Sequence, residues 1–303
     1  MSSAAKVIGT LALATTCLGP ALAVASDVPA RRTPEPIVIP IEMRDNFPIL
    51  TARVNGLKIP LKFDLGDGDP LVLQQGTLDQ LGAKATGETA KMRGVDGVFE
   101  APLYEVPQIQ IGTVTFVDVV ARADVRAGNY QPGEQGEQGF LGTGLLKEYV
   151  IALDYRGRKM TLIPPLNYRQ VSEYCSGIAV PFLPEWDGAP VTEAVTDWGR
   201  AVVWWDTGAP VSALRETFKV DPDPKSKVAT LTTKRFVLGG SDLGPLVFNF
   251  WAMELPKFDG FIGYNFFERH IVCVDFPGKR LIVDASERAT PLERPEGTPA
   301  TTQ

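Results

Sequence analysis

The chain has 303 residues, 44% of them hydrophobic, with a mean hydropathy of essentially zero and a formal net charge of −6. That is enough apolar material for one large domain or two ordinary ones. The acidic balance, without a basic cluster interleaved with aromatics, argues against nucleic acid as a partner. A single histidine and three cysteines leave little material for a Ser-His-Asp site, a Cys-His site or a zinc cluster.

In chain order, residues 1–25 carry one positive charge, Lys6, then a mostly apolar stretch closing on Ala21-Leu22-Ala23 and Ala23-Val24-Ala25. This predicts a signal peptide and a secreted or periplasmic protein. The stretch is short for a bilayer span and no later run of about 18 apolar residues follows, so no membrane association is expected after cleavage. Residues 26–36 read as an extended linker. The first half, 37–165, brings the strand Lys58-Ile59-Pro60-Leu61-Lys62-Phe63 into Asp64-Leu65-Gly66. A short helix is predicted at Thr77 to Leu81. From Gly87 to Tyr104, β-formers flank the tip Gly94-Val95-Asp96-Gly97, which reads as a hairpin. The polar loop Gly128 to Gly139 is assigned no chemistry. Next come Gly139-Phe140-Leu141-Gly142 and the apolar exit strand Tyr149 to Tyr155. Residues 166–176 connect the halves. The second half, 177–284, runs Ala201-Val202-Val203-Trp204-Trp205 into Asp206-Thr207-Gly208-Ala209, then Gly260-Phe261-Ile262-Gly263 and the exit strand His270 to Phe276. Residues 285–303, rich in Pro, Thr and Glu, read as a disordered tail.

One unit therefore occurs twice. The Asp loops are offset by 142 positions, and the glycine-bounded hydrophobic pairs and exit strands by 121. His270 then falls opposite Tyr149, at a packing position of the repeat. A lone Asp-x-Gly after a strand is an ordinary turn; two copies with two further shared landmarks are a fold signature.

These paired marks resemble the pepsin and retropepsin superfamily of aspartic proteases across residues 36–284. The resemblance implies an all-β fold of two pseudo-symmetric acid-protease β-barrel lobes with a cleft between them. It makes Asp64 and Asp206 the catalytic pair, supported by the loop residues Leu65, Gly66, Asp67, Thr207, Gly208 and Ala209. Gly94, Val95, Asp96 and Gly97 become either the flap over the substrate or the tip of a plain surface hairpin. The substrate would be a peptide or an unfolded protein, with no cofactor and no metal. Because each half supplies its own copy, a monomer suffices.

Two residues depart from the family pattern. Leu65 stands where a Thr would hydrogen-bond across to the other loop, and this predicts that the Thr207 hydroxyl is left unsatisfied. Asp67 stands opposite Ala209 and adds a third carboxylate beside the pair, which raises neighbouring pKa values. Asp64, Asp67 and Asp69 do not make a calcium loop, because Gln75 stands where a twelve-residue loop needs its Glu. Cys175 and Cys273, which survive removal of the leader, form either a disulfide or two buried thiols. Two functions stay open: an aspartic endopeptidase, or a catalytically impaired relative that binds extended peptides in the interlobe cleft.

Overall fold

The structure, a computed structural model, describes residues 35–94, 97–125, 133–164, 168–184, 188–218, 230–253 and 257–285. The expected signal peptide, most of the linker and nearly all of the tail lie outside the described residues.

After β1 (Ile37–Pro40) and β2 (Glu42–Arg44), β3 (Phe47–Val54) turns back as β4 (Leu57–Phe63). Asn55 and Gly56 both take positive φ, 46° and 85°, the two-residue turn that suits the right-handed twist of paired strands. Along β4, Ile59, Leu61 and Phe63 enter the core, so the period of two places Lys62 and Asp64 on the other face. There follow β5 (Leu71–Leu73), α1 (Gln75–Leu81), β6 (Lys84–Gly94), β7 (Gly97–Ile111), β8 (Val114–Ala123) and β9 (Gly139–Leu141). The helix starts two residues before the expected Thr77 and stops at Gly82, whose left-handed φ of 60° ends it. The sheet order is β2-β3-β4-β9-β5-β8-β7-β6, and β3 also pairs with β7, which curls the sheet on itself.

The chain leaves this lobe through β10 (Val150–Asp154) and β11 (Lys159–Ile163), passes α2 (Tyr168–Tyr174) and enters β12 (Ile178–Pro181). The second lobe holds β13 (Val191–Thr196), β14 (Gly199–Trp205), β15 (Ala213–Arg215), β16 (Thr230–Thr233), β17 (Phe236–Leu238), β18 (Ser241–Asp242), β19 (Leu246–Trp251) and β20 (Gly260–Ile262). Its order is β16-β19-β15-β20-β14-β13-β17-β18. The stretch β13-β14-β20-β15-β19 repeats the first lobe's β3-β4-β9-β5-β8. In both, the Asp-bearing strand runs parallel to the glycine-bounded one: Phe63 pairs with Leu141, and Trp205 with Ile262. The expected all-β, two-lobed architecture is therefore what the chain adopts.

After α3 (Tyr264–Phe267), β21 (Val272–Asp275) and β22 (Arg280–Val283) close a six-stranded sheet that both halves share, ordered β1-β11-β10-β21-β22-β12. Its central register pairs Ala152 with Cys273, residues that the repeat itself equates, so the pseudo-twofold passes through this pair. Cys175, just beyond α2, is disulfide-bonded to Cys273, across a sequence separation of 98, within a cluster that includes Val150, Ile163, Val171 and Ile282. The bond tethers the interlobe connection to the middle of the shared sheet. Replacing both cysteines by Ser should lower the unfolding free energy by about 2–4 kcal/mol, because the unfolded chain regains the entropy of a long closed loop. Urea unfolding of the oxidised parent against the double variant measures this.

Candidate active site

Each Asp loop leaves its strand in the same way. Asp64 N–H donates to Leu141 O and Asp206 N–H to Ile262 O, both at 2.9 Å, so each acid is pinned to the glycine-bounded strand beside it. Those strands must end in glycine because another chain segment passes there. A Cβ on Gly142 would stand 2.2 Å from Asp69 O, and one on Gly263 2.3 Å from Val211 O. The turn then closes on the acid's own side chain. Gly66 N–H donates to Asp64 Oδ1 at 3.0 Å and Gly208 N–H to Asp206 Oδ1 at 2.7 Å.

The two loops meet face to face. A Cβ on Gly66 would lie 2.8 Å from Asp206 Cγ, and one on Gly208 2.6 Å from Asp64 Oδ2. Only glycine allows that approach, and the carboxyl groups come within hydrogen-bonding reach of one another. Burial raises the pKa of Asp206. The Trp204 side chain, the Gly208 N–H, Asp64 and the charge of Lys62 act in the opposite sense. Lys62 and Trp204, equivalent in the repeat, lie two residues before the acids on the same strand faces. Lys62 is buried, with its ammonium 3.7 Å from the centroid of the Phe47 ring and 5.0 Å from that of Phe140.

The expected loss at Thr207 does not occur. Its hydroxyl accepts from Leu65 N–H and donates to Phe63 O, both at 2.8 Å. The correction has a simple cause: the contact runs from one side chain to the opposite loop's backbone, and Leu65 offers the same backbone as Thr would. Its side chain is fully buried in the core. What Leu65 gives up is only the return contact, from a hydroxyl of its own.

Asp67 does add a third carboxylate, but an unanticipated partner holds it. Arg122, on β8 and almost wholly buried, donates through Nη2 to Asp67 Oδ2 at 3.2 Å and through Nε to Asp69 Oδ2. Asp69 N–H also donates to Asp67 Oδ1 at 2.8 Å. Burial first, then the charges of Asp64 and Asp69, push the Asp67 pKa up to about 6, against the opposing pull of Arg122. The parallel pairing of β5 with β8, which sets Val72 beside Arg122, delivers the guanidinium to the loop. A sequence signal existed in Val119-Val120-Ala121-Arg122-Ala123, a charge inside an otherwise apolar strand end. Ala209, the counterpart of Asp67, is buried and packs with Trp204 and Phe261.

The remaining expected residues are placed less closely. Gly94 and Gly97 pair across the tip of the β6–β7 hairpin, while Val95 and Asp96 lie outside the described residues. In the loop assigned no chemistry, Glu137 is buried and accepts from Gly133 N–H and Gln135 N–H at 3.0 and 3.1 Å. It is a structural carboxylate that the sequence reading missed. His270 is buried and packs on Phe266, with ring centroids 4.5 Å apart.

Residues 50–145 match a family model described as aspartyl protease. A crystal structure of an aspartic proteinase from Irpex lacteus superposes with a TM-score of 0.57 at 11% identity, covering 82% of this chain and 97% of that one. No curated protein matches the chain in sequence. The family match thus covers the first lobe, and the described chain as a whole has the fold of that aspartic proteinase.

Proposed function

We propose that the chain is an aspartic endopeptidase in which Asp64 and Asp206 act as one catalytic unit on peptides or unfolded proteins. The observation that carries this reading is the crossed packing of the loops, in which each acid's carboxyl group abuts the glycine of the opposite loop. Two carboxyl groups this close cannot both ionise readily, so they hold one proton between them. The ionised member takes a proton from a bound water, which attacks the peptide carbonyl. The protonated member donates to the developing oxyanion; as the tetrahedral intermediate collapses, the C–N bond breaks, the nitrogen takes the proton drawn from water, and a hydroxyl proton returns to the pair as the carboxyl product forms. Gly66 and Gly208 N–H groups fix the carboxyl planes during these transfers. The intact Thr207 contacts favour this reading over a catalytically impaired peptide binder, because the loops remain tied across the lobes despite Leu65.

Export through residues 1–25, a mature chain in the periplasm or medium, and action as a monomer belong to the same proposal. The apolar leader and the disulfide support export. The deciding assay is cleavage of an unfolded protein by the purified mature chain from about pH 3 to pH 7, a range that spans the titration of paired carboxylates. Hydrolysis supports the proposal. Binding of the same substrate by folded protein, without cleavage at any pH, would replace it with the impaired binder. Mass spectrometry of exported protein should find the first residue between Val24 and Ser26.

A further inference from the structure

The mechanism above leaves one polar group beneath the paired acids without a task. Tyr155 follows β10 and is buried, its ring stacked on Phe267 with centroids 5.4 Å apart and tilted against Tyr264 at 6.0 Å. Its hydroxyl is sealed from solvent and lies beside the Thr207 hydroxyl without closing a hydrogen bond of ordinary geometry. Burial first, then the charges of Asp206 and Asp64, hold its pKa well above the ordinary phenol value. The phenol therefore stays protonated, with a proton to donate. Thr207 Oγ1 has one donor site, used on Phe63 O, and two acceptor sites, of which Leu65 N–H uses one. One acceptor site is left on the Tyr155 side of the ledger.

The repeat explains why this hydroxyl occurs on one side only. Tyr155 follows β10 as Phe276 follows β21, and each strand ends in an acid that accepts from a turn glycine: Asp154 from Gly157 N–H and Asp275 from Gly278 N–H, both at 2.8 Å. Thr207 is likewise equivalent to Leu65. One pseudo-symmetric side thus carries two hydroxyls, Tyr155 and Thr207, and the other two hydrocarbon side chains, Phe276 and Leu65, both in the main core cluster. The departure at Leu65 is half of a matched exchange.

We propose that Tyr155 is a positioning residue whose hydroxyl donates to Thr207 Oγ1 and holds the one hydroxyl that ties the two acid loops together. The inference rests on the protease reading for its kinetic consequence, though not for its physical content. Tyr155→Phe removes one oxygen and keeps the ring stack. It should lower kcat about fivefold with KM unchanged, the rate equivalent of one hydrogen bond, and lower the thermal unfolding midpoint. In a Thr207→Val background, which lacks the acceptor, Tyr155→Phe should change neither quantity further. In Thr207→Ser, which keeps it, the loss should return. No loss in the parent, or equal losses in all three backgrounds, overturns the proposal.

Should Thr207→Val fail to fold, the opposite side decides. Leu65→Thr and Phe276→Tyr together should raise the unfolding midpoint above the sum of the two single changes, and strict additivity would refute the pairing. Unfolding midpoints keep the two readings separable. A parent chain that cuts no peptide sinks the protease, while coupling between the hydroxyls still stands or falls by itself.

Discussion

Asp206→Asn will reduce peptide hydrolysis by about 10²- to 10⁴-fold without unfolding the protein, because general acid–base chemistry contributes on that order. The amide keeps the shape and still accepts from Gly208 N–H, so the turn survives. It can neither ionise nor share a proton with Asp64. The same change at Asp64 should cost as much, since the two acids are held by equivalent contacts and the proposed mechanism uses them as one unit. Steady-state rates for both single variants and the double variant provide the check. The double variant should be little worse than either single one, as expected for groups acting together. Losses that multiply would mean that the acids act separately.

Arg122→Met will destabilise the fold by about 3 kcal/mol, because a buried cation is lost from between Asp67 and Asp69. The figure is at the low end for a broken buried pair because Asp69 is 34% exposed and recovers solvation. The effect also depends on pH. In the parent, the Asp67 carboxyl has its pKa raised from 3.8 to about 6. Between those values the folded state binds more protons than the unfolded one, so this group's contribution to stability falls as pH rises through the interval. Without Arg122 an opposing influence on Asp67 is gone and its pKa climbs further. The decline in stability should then extend above pH 6. Unfolding free energies of parent and variant at a series of pH values measure both effects. Arg122→Lys should recover only part, since an ammonium cannot offer the planar fork that reaches two carboxylates.

Much of this site was legible in the residues, and the illegible part has a common cause. The Asp loops, the glycine-bounded pairs and the exit strands are short segments whose turn chemistry and apolar alternation are local, so the repeat exposed them. Thr207 was misjudged because a sequence shows side-chain identities. The contact that matters ends on the backbone of Phe63 and Leu65, which every residue carries. Arg122 was missed because its partners lie 53 and 55 positions away, joined to it only through the pairing of β5 with β8. Glu137 was overlooked for a different reason: its loop has no periodicity, and burial of its carboxylate follows from tight backbone turns.

By itself the sequence determined the all-β class, the twofold repetition, the two acids and the glycines beside them, since strand alternation and turn formation depend on neighbours within a few residues. The tertiary structure alone decided how the halves meet. It set the shared six-stranded sheet, the crossed approach of each acid to the opposite glycine, the guanidinium beneath Asp67 and the phenol beside Thr207. Those contacts join residues far apart in the chain, and a pairing of that kind leaves no local pattern until the strands that carry it are packed.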